Sequence, residues 1–106
     1  MTTIKLDIHS SGGAITVAPG DRLDLHLEET ASTGFRWYIE DDDSGVLMLE
    51  KESSTLLHPG VAGAGGTRDF VLAVAKQGQA TLRASKYRSW EKQPPQETFQ
   101  LTVTAK

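Results

Sequence analysis

The feature that most constrains this chain is a period-two alternation of apolar and polar residues, repeated along most of its length. Ile4, Leu6 and Ile8 alternate with Lys5, Asp7 and His9. Leu23, Leu25 and Leu27 alternate with Arg22, Asp24, His26 and Glu28. Phe35, Trp37 and Ile39 alternate with Arg36, Tyr38 and Glu40. The same pattern returns in Phe70, Leu72 and Val74, in Ala80, Leu82 and Ala84, and in Phe99, Leu101 and Val103. Successive side chains of a strand point to opposite faces, so each run describes a strand with one buried face. Val46 to Glu52 is less regular but also reads as a strand. Ile15 to Val17 reads as a short extra strand or edge segment.

No helical period appears. The runs are separated by turn formers: Ser11-Gly12-Gly13, Pro19-Gly20-Asp21, Asp41 to Gly45, Gln77-Gly78 and Pro94-Pro95. Many short strands at this spacing predict an all-β sandwich or barrel. Two sheets packed face to face would bury the alternating hydrophobes between them. The chain has 106 residues, with no internal repeat and no interdomain linker, so a single domain over 1–106 is expected.

The main strands are expected at about 3–9, 22–29, 34–40, 45–53, 67–76, 79–87 and 97–105. If direction alternates along the chain, the connections after the second, fourth and sixth strands fall at one end. These are Thr30 to Thr33, Ser54 to Gly66, and Arg88 to Gln96. The opposite end receives Asp41-Asp42-Asp43 and the tight Gln77-Gly78 turn. One end therefore offers Thr, Ser, Gly, Arg and Trp, and the other mainly acid.

Composition excludes several functions. A net charge of −3 gives no electrostatic case for nucleic acid or an anionic membrane surface. No stretch approaches the ~20 apolar residues of a membrane span, and no signal-peptide run opens the chain. The chain thus reads as soluble, and its compartment stays open: cytoplasmic, or secreted after removal of a leader. With no cysteine there is no disulfide scaffold, thiolate nucleophile or Cys-ligated metal. His9, His26 and His58 have no metal-ligand spacing. No serine stands in a nucleophile-elbow motif. Asp41-Asp42-Asp43 lacks the spaced ligands and closing Glu of a calcium loop. The expectation is no catalytic residue, no metal, no cofactor and a monomer.

What remains is binding chemistry on loops. Gly60, Gly63, Gly65 and Gly66 crowd one connection. Such a segment is either a flexible connector or bare backbone that a partner can approach for β-type pairing. Trp37 is in phase with its strand and belongs to the core. Trp90 lies in the polar, proline-ended stretch Arg88 to Pro95. There it either folds back onto the sandwich or serves as a binding anchor, since Trp and Arg are enriched at interface hot spots.

Together the three loops resemble the signature of the chagasin family, inhibitors of papain-like cysteine peptidases. The family carries N-P-T-T-G-[YF]-x-W, G-x-G-G and R-P-W-type loops in that order. Thr30-Ala31-Ser32-Thr33-Gly34-Phe35-Arg36-Trp37 resembles the first, Gly63-Ala64-Gly65-Gly66 the second, with Thr67 and Phe70 also family-like, and Arg88-Ser89-Trp90 the third. The chain departs from the pattern at Thr30 (Asn in the family), Ala31 (Pro), Ser32 (Thr) and Ser89 (Pro). Loss of both prolines removes backbone preorganisation.

The resemblance implies an immunoglobulin-like β-sandwich of about seven to eight strands whose loops form a wedge. It implies that Ser32 and Thr33 sit over the catalytic Cys–His pair of a papain-like cysteine peptidase. Gly63 to Gly66 would pair by backbone along one side of the cleft, and Arg88 and Trp90 would pack on the other. No covalent bond to the target is implied. A second reading, a noninhibitory immunoglobulin-like adhesion or assembly module, keeps the same fold and is left open by the missing prolines.

Overall fold

The structure is a computed structural model that describes residues 2–29, 34–40, 42–56, 65–91 and 94–106. Among these residues, eight strands form two four-stranded sheets. They are β1 (Thr3–Leu6), β2 (Ala14–Val17), β3 (Arg22–Glu29), β4 (Arg36–Glu40), β5 (Leu47–Leu56), β6 (Gly66–Val74), β7 (Gly78–Tyr87) and β8 (Glu97–Ala105). One sheet has the order β1-β3-β6-β5 and the other β2-β8-β7-β4. The choice between barrel and sandwich is thus resolved as a sandwich.

The alternation explains the core. Leu23, Leu25 and Leu27 of β3 face Phe70 and Leu72 of β6 within one sheet, all essentially removed from solvent. Trp37, Leu82, Ala84, Phe99, Leu101 and Val103 supply the facing layer. Burying each large apolar side chain contributes about 1.5–3 kcal/mol. These residues therefore carry most of the drive to collapse.

Several boundaries differ from expectation, each for a local reason. The first strand stops at Leu6 rather than running to 9. Asp7 instead caps a single 3-10 turn, Ile8–Ser10: its carboxylate accepts from His9 N at 2.9 Å, and its own N–H donates to Ser10 Oγ at 3.2 Å. Three residues are too few to show a helical period. Ile8 still packs against the core from that turn. Phe35 lies ahead of β4 and is only half-buried, because the turn at Gly34 takes it out of the ladder. The irregularity of Val46 to Glu52 has a cause: the β5–β6 register shifts between Leu49 and Lys51. That bulge reverses which residues face inward.

The extra segment near Ile15 is a full strand. β1 runs parallel to β3, and β2 parallel to β8. Direction therefore alternates only when β2 is counted, so the first and second of the seven main strands expected from sequence run the same way. From β3 onward the expected alternation holds.

At the acidic end, the turn after β4 is anchored by Asp42. Its carboxylate accepts from Ser44 N and Ser44 Oγ, at 3.0 and 2.7 Å, and from Thr81 N on β7 at 2.9 Å. Burial pushes the Asp42 carboxyl up, but these hydrogen bonds outweigh it and hold it below the usual carboxylate range.

Candidate functional site

Strand register decides which loops share an end. Glu29 at the end of β3 pairs with Gly66 at the start of β6, and Leu56 at the end of β5 pairs with the same Gly66. In the other sheet Arg36 pairs with Tyr87, and Lys86 with Glu97. The two sheets are tied at this end by Trp37. Its N–H donates to Glu29 Oε2 at 3.0 Å, and its indole Nε1 donates to the Glu28 carbonyl at 2.9 Å. The β3–β4, β5–β6 and β7–β8 connections therefore leave the sandwich together.

The expectations for Thr30, Ala31, Ser32, Thr33, Gly63 and Ala64 lie outside the described residues. Of the rest, Gly34, Arg88 and Trp90 form one cluster. Gly34 has φ +86°, a left-handed conformation that suits glycine. The six-membered ring of the Trp90 indole lies where a Cβ on Gly34 would be. Trp90 is nevertheless 69% exposed. One edge of the ring folds back on the sandwich and the rest faces solvent. Arg88 lies over the Phe35 ring, 4.3 Å from its centroid, and its Nη1 bonds Glu91 Oε1 at 2.9 Å. Ser89 is exposed in the same turn.

Gly65 and Gly66 sit at the root of the second loop. A Cβ on Gly65 would meet the Glu29 carbonyl oxygen only at 4.0 Å, ordinary contact. Among the described residues, local space therefore does not require glycine at 65. Gly66 is buried within the β3–β6 ladder. The third loop is closed below by the Gln96 N–H bond to the Lys86 carbonyl at 2.8 Å and the Lys86–Glu97 ion pair at 3.0 Å.

One feature under the loops escaped the sequence reading. Glu29 and Arg68 point inward, with side chains only 1% and 8% exposed. Arg68 Nε bonds both Glu29 oxygens, at 2.9 and 3.0 Å, and its Nη2 reaches Glu29 Oε1 at 2.8 Å. Arg68 Nη1 reaches Glu52 Oε2 at 3.2 Å, which also takes Arg36 Nη2 at 3.2 Å. Burial alone would lower the Arg68 pKa, but its hydrogen bonds and the charges of Glu29 and Glu52 raise it above the ordinary value, so it stays charged. The signal was present: Glu29 continues the inward phase of Leu25 and Leu27, and Arg68 that of Phe70 and Leu72. Opposite charges on buried-phase positions of two paired strands predict a mutual salt bridge.

An all-β sandwich with three loops gathered at one end, one presenting an exposed Trp, defines a loop-based binding protein. The comparisons specify it. The model of the chagasin family of peptidase inhibitors, I42, matches residues 16–103, and the chain belongs to this family. The chain is 29% identical to chagasin of Trypanosoma cruzi, the match covering 76% of each protein. The structure resembles the cysteine protease inhibitor EhICP2 from Entamoeba histolytica, with a TM-score of 0.90, 24% identity, and coverage of 100% of this chain and 97% of that one. It also resembles PbICP-C in complex with falcipain-2, with a TM-score of 0.70, 17% identity and full coverage of both chains. The family is one of peptidase inhibitors, so the chain is an inhibitor and not an enzyme.

Proposed function

We propose that this chain is a reversible, tight-binding inhibitor of papain-like cysteine peptidases that fills the active-site cleft with its three loops. The observation that carries the reading is the Trp90–Gly34 contact at the shared loop end, which offers a large exposed indole on a braced support. Family membership and the falcipain-2 complex of PbICP-C support the target class.

In this reading Thr30, Ala31, Ser32, Thr33 and Gly34 form the central loop. A small hydroxyl of Ser32 or Thr33 fills the space above the nucleophile and hydrogen-bonds its histidine, offering no scissile carbonyl in attack geometry. Gly63, Ala64, Gly65 and Gly66 bring bare backbone to one wall of the cleft for β-type pairing. Arg88, Ser89 and Trp90 pack on the other wall, where a flat, rigid Trp supplies buried area at low entropic cost. Such a wedge fits an interface of roughly 800 Å² per partner.

The test is titration of the protein against several papain-like peptidases. Stoichiometric or competitive loss of activity is expected. Full activity at micromolar protein across the panel would overturn the proposal and favour the noninhibitory module.

A further inference from the structure

We infer that the buried Glu29–Arg68 pair is a positioning device: it fixes the roots of the first two loops against each other and thereby sets how tightly the inhibitor binds. The inference rests on the inhibitor reading above.

The pair joins four segments. Glu29 is the residue from which the first loop departs, and Trp37, whose N–H the same carboxylate accepts, lies just past that loop's return. Arg68 lies two residues past Gly66, where the second loop returns, and Glu52 lies on the strand that feeds it. Arg36 closes the network from the returning strand of the first loop to Glu52. Both loops are thus referred to one carboxylate and one guanidinium.

A requirement for stability alone does not explain this choice. A buried ion pair is often no better for stability than a well-packed apolar pair of similar size. The neighbouring inward positions, Leu27 and Phe70, show that this layer accepts hydrocarbon. What the ion pair adds is direction. A guanidinium fork on a carboxylate fixes distance and angle together, which two aliphatic side chains do not. The first of the loops that rely on these roots lacks the first proline of the family pattern, at Ala31. For the first loop, restraint from below takes over part of the task of restraint within it.

The experiment uses the double variant Glu29→Gln/Arg68→Met in the full chain. Gln retains an acceptor for the Trp37 N–H, no unpaired charge is buried, and Glu52 keeps Arg36. Melting temperature, the inhibition constant against papain, and amide exchange at Gly34 and Gly65 of the unbound protein are measured together. Expected are a melting temperature within roughly 5 °C of the parent, an inhibition constant raised about tenfold or more, and exchange at both glycines accelerated about tenfold. Unchanged inhibition and unchanged exchange would overturn the inference. So would an equal loss of inhibition in Val74→Ala, a core variant at the far end of the sandwich. If the double variant does not fold, Arg68→Lys keeps the charge but not the fork, and the same two readouts decide. If the parent fails to inhibit any peptidase, the inhibitor reading falls, while the exchange rates still report whether the pair orders the loop roots.

Discussion

The Trp90 indole and Gly34 occupy one another's space: the ring lies where a side chain at residue 34 would begin. The first and third loops are therefore braced together before any partner arrives. The brace acts on the same loops that lack the family's prolines at Ala31 and Ser89. Gly34→Ala should be doubly unfavourable. It places a Cβ at φ +86°, costing about 1–2 kcal/mol, and it must displace the indole. Denaturant melts should register the first effect and the inhibition constant the second. Parental values for both would show that the contact is not maintained in solution.

Trp90→Ala separates binding from folding. With the side chain mostly in water, its truncation should change stability by no more than about 0.5 kcal/mol. As an interface anchor, its loss should weaken inhibition by about 2 kcal/mol or more. A variant that unfolds readily instead would mean that Trp90 is a core residue.

Glu29→Ala and Arg36→Ala probe opposite ends of one network. Glu29→Ala strands the Arg68 guanidinium in a buried site and leaves the Trp37 N–H without its acceptor, so a loss of about 3–5 kcal/mol is expected in urea unfolding. The Arg36 side chain is 45% exposed, and its removal should cost under about 1 kcal/mol. Comparable losses in the two variants would contradict the burial-based ranking.

Asp42 makes an acid-side prediction. Its folded pKa is depressed below the ordinary 3.8, so its stabilising contribution is present above that value and is lost as pH falls through the folded pKa. Asp42→Asn should melt below the parent at pH 7, and the gap should close below pH 3.8. A gap that does not narrow as pH falls below 3.8 would assign the effect to shape rather than charge. The carboxylate is largely exposed, so the gap should be modest.

The sheets were legible because a period of two needs no knowledge of partners: Leu23, Leu25 and Leu27 declare their face unaided. The bulge at Leu49 was not, because it depends on how neighbouring strands meet, whereas the glycine at 34 marked a special backbone angle ahead of β4, and its φ is +86°. The loop end could be inferred by counting directions, and the slip in the direction of β1 did not matter, since the three relevant loops all follow β3. The contact between Trp90 and Gly34 joins residues 56 positions apart, beyond any local pattern. Glu29 and Arg68 were legible in principle. They went unread because alternation was followed through its apolar members only.

The parallel pairing of β2 with β8 joins residues 88 positions apart in sequence, Ala14 with Thr102 and Ile15 with Val103. Residues 14–17 have no strand partner in their sheet until 102–105 are in place. Strand β8 is an interior strand of its sheet, so without it β7 presents an open edge. A chain in which residues 97–105 have not docked therefore exposes the unpaired edge of β7 and leaves β2 without its partner.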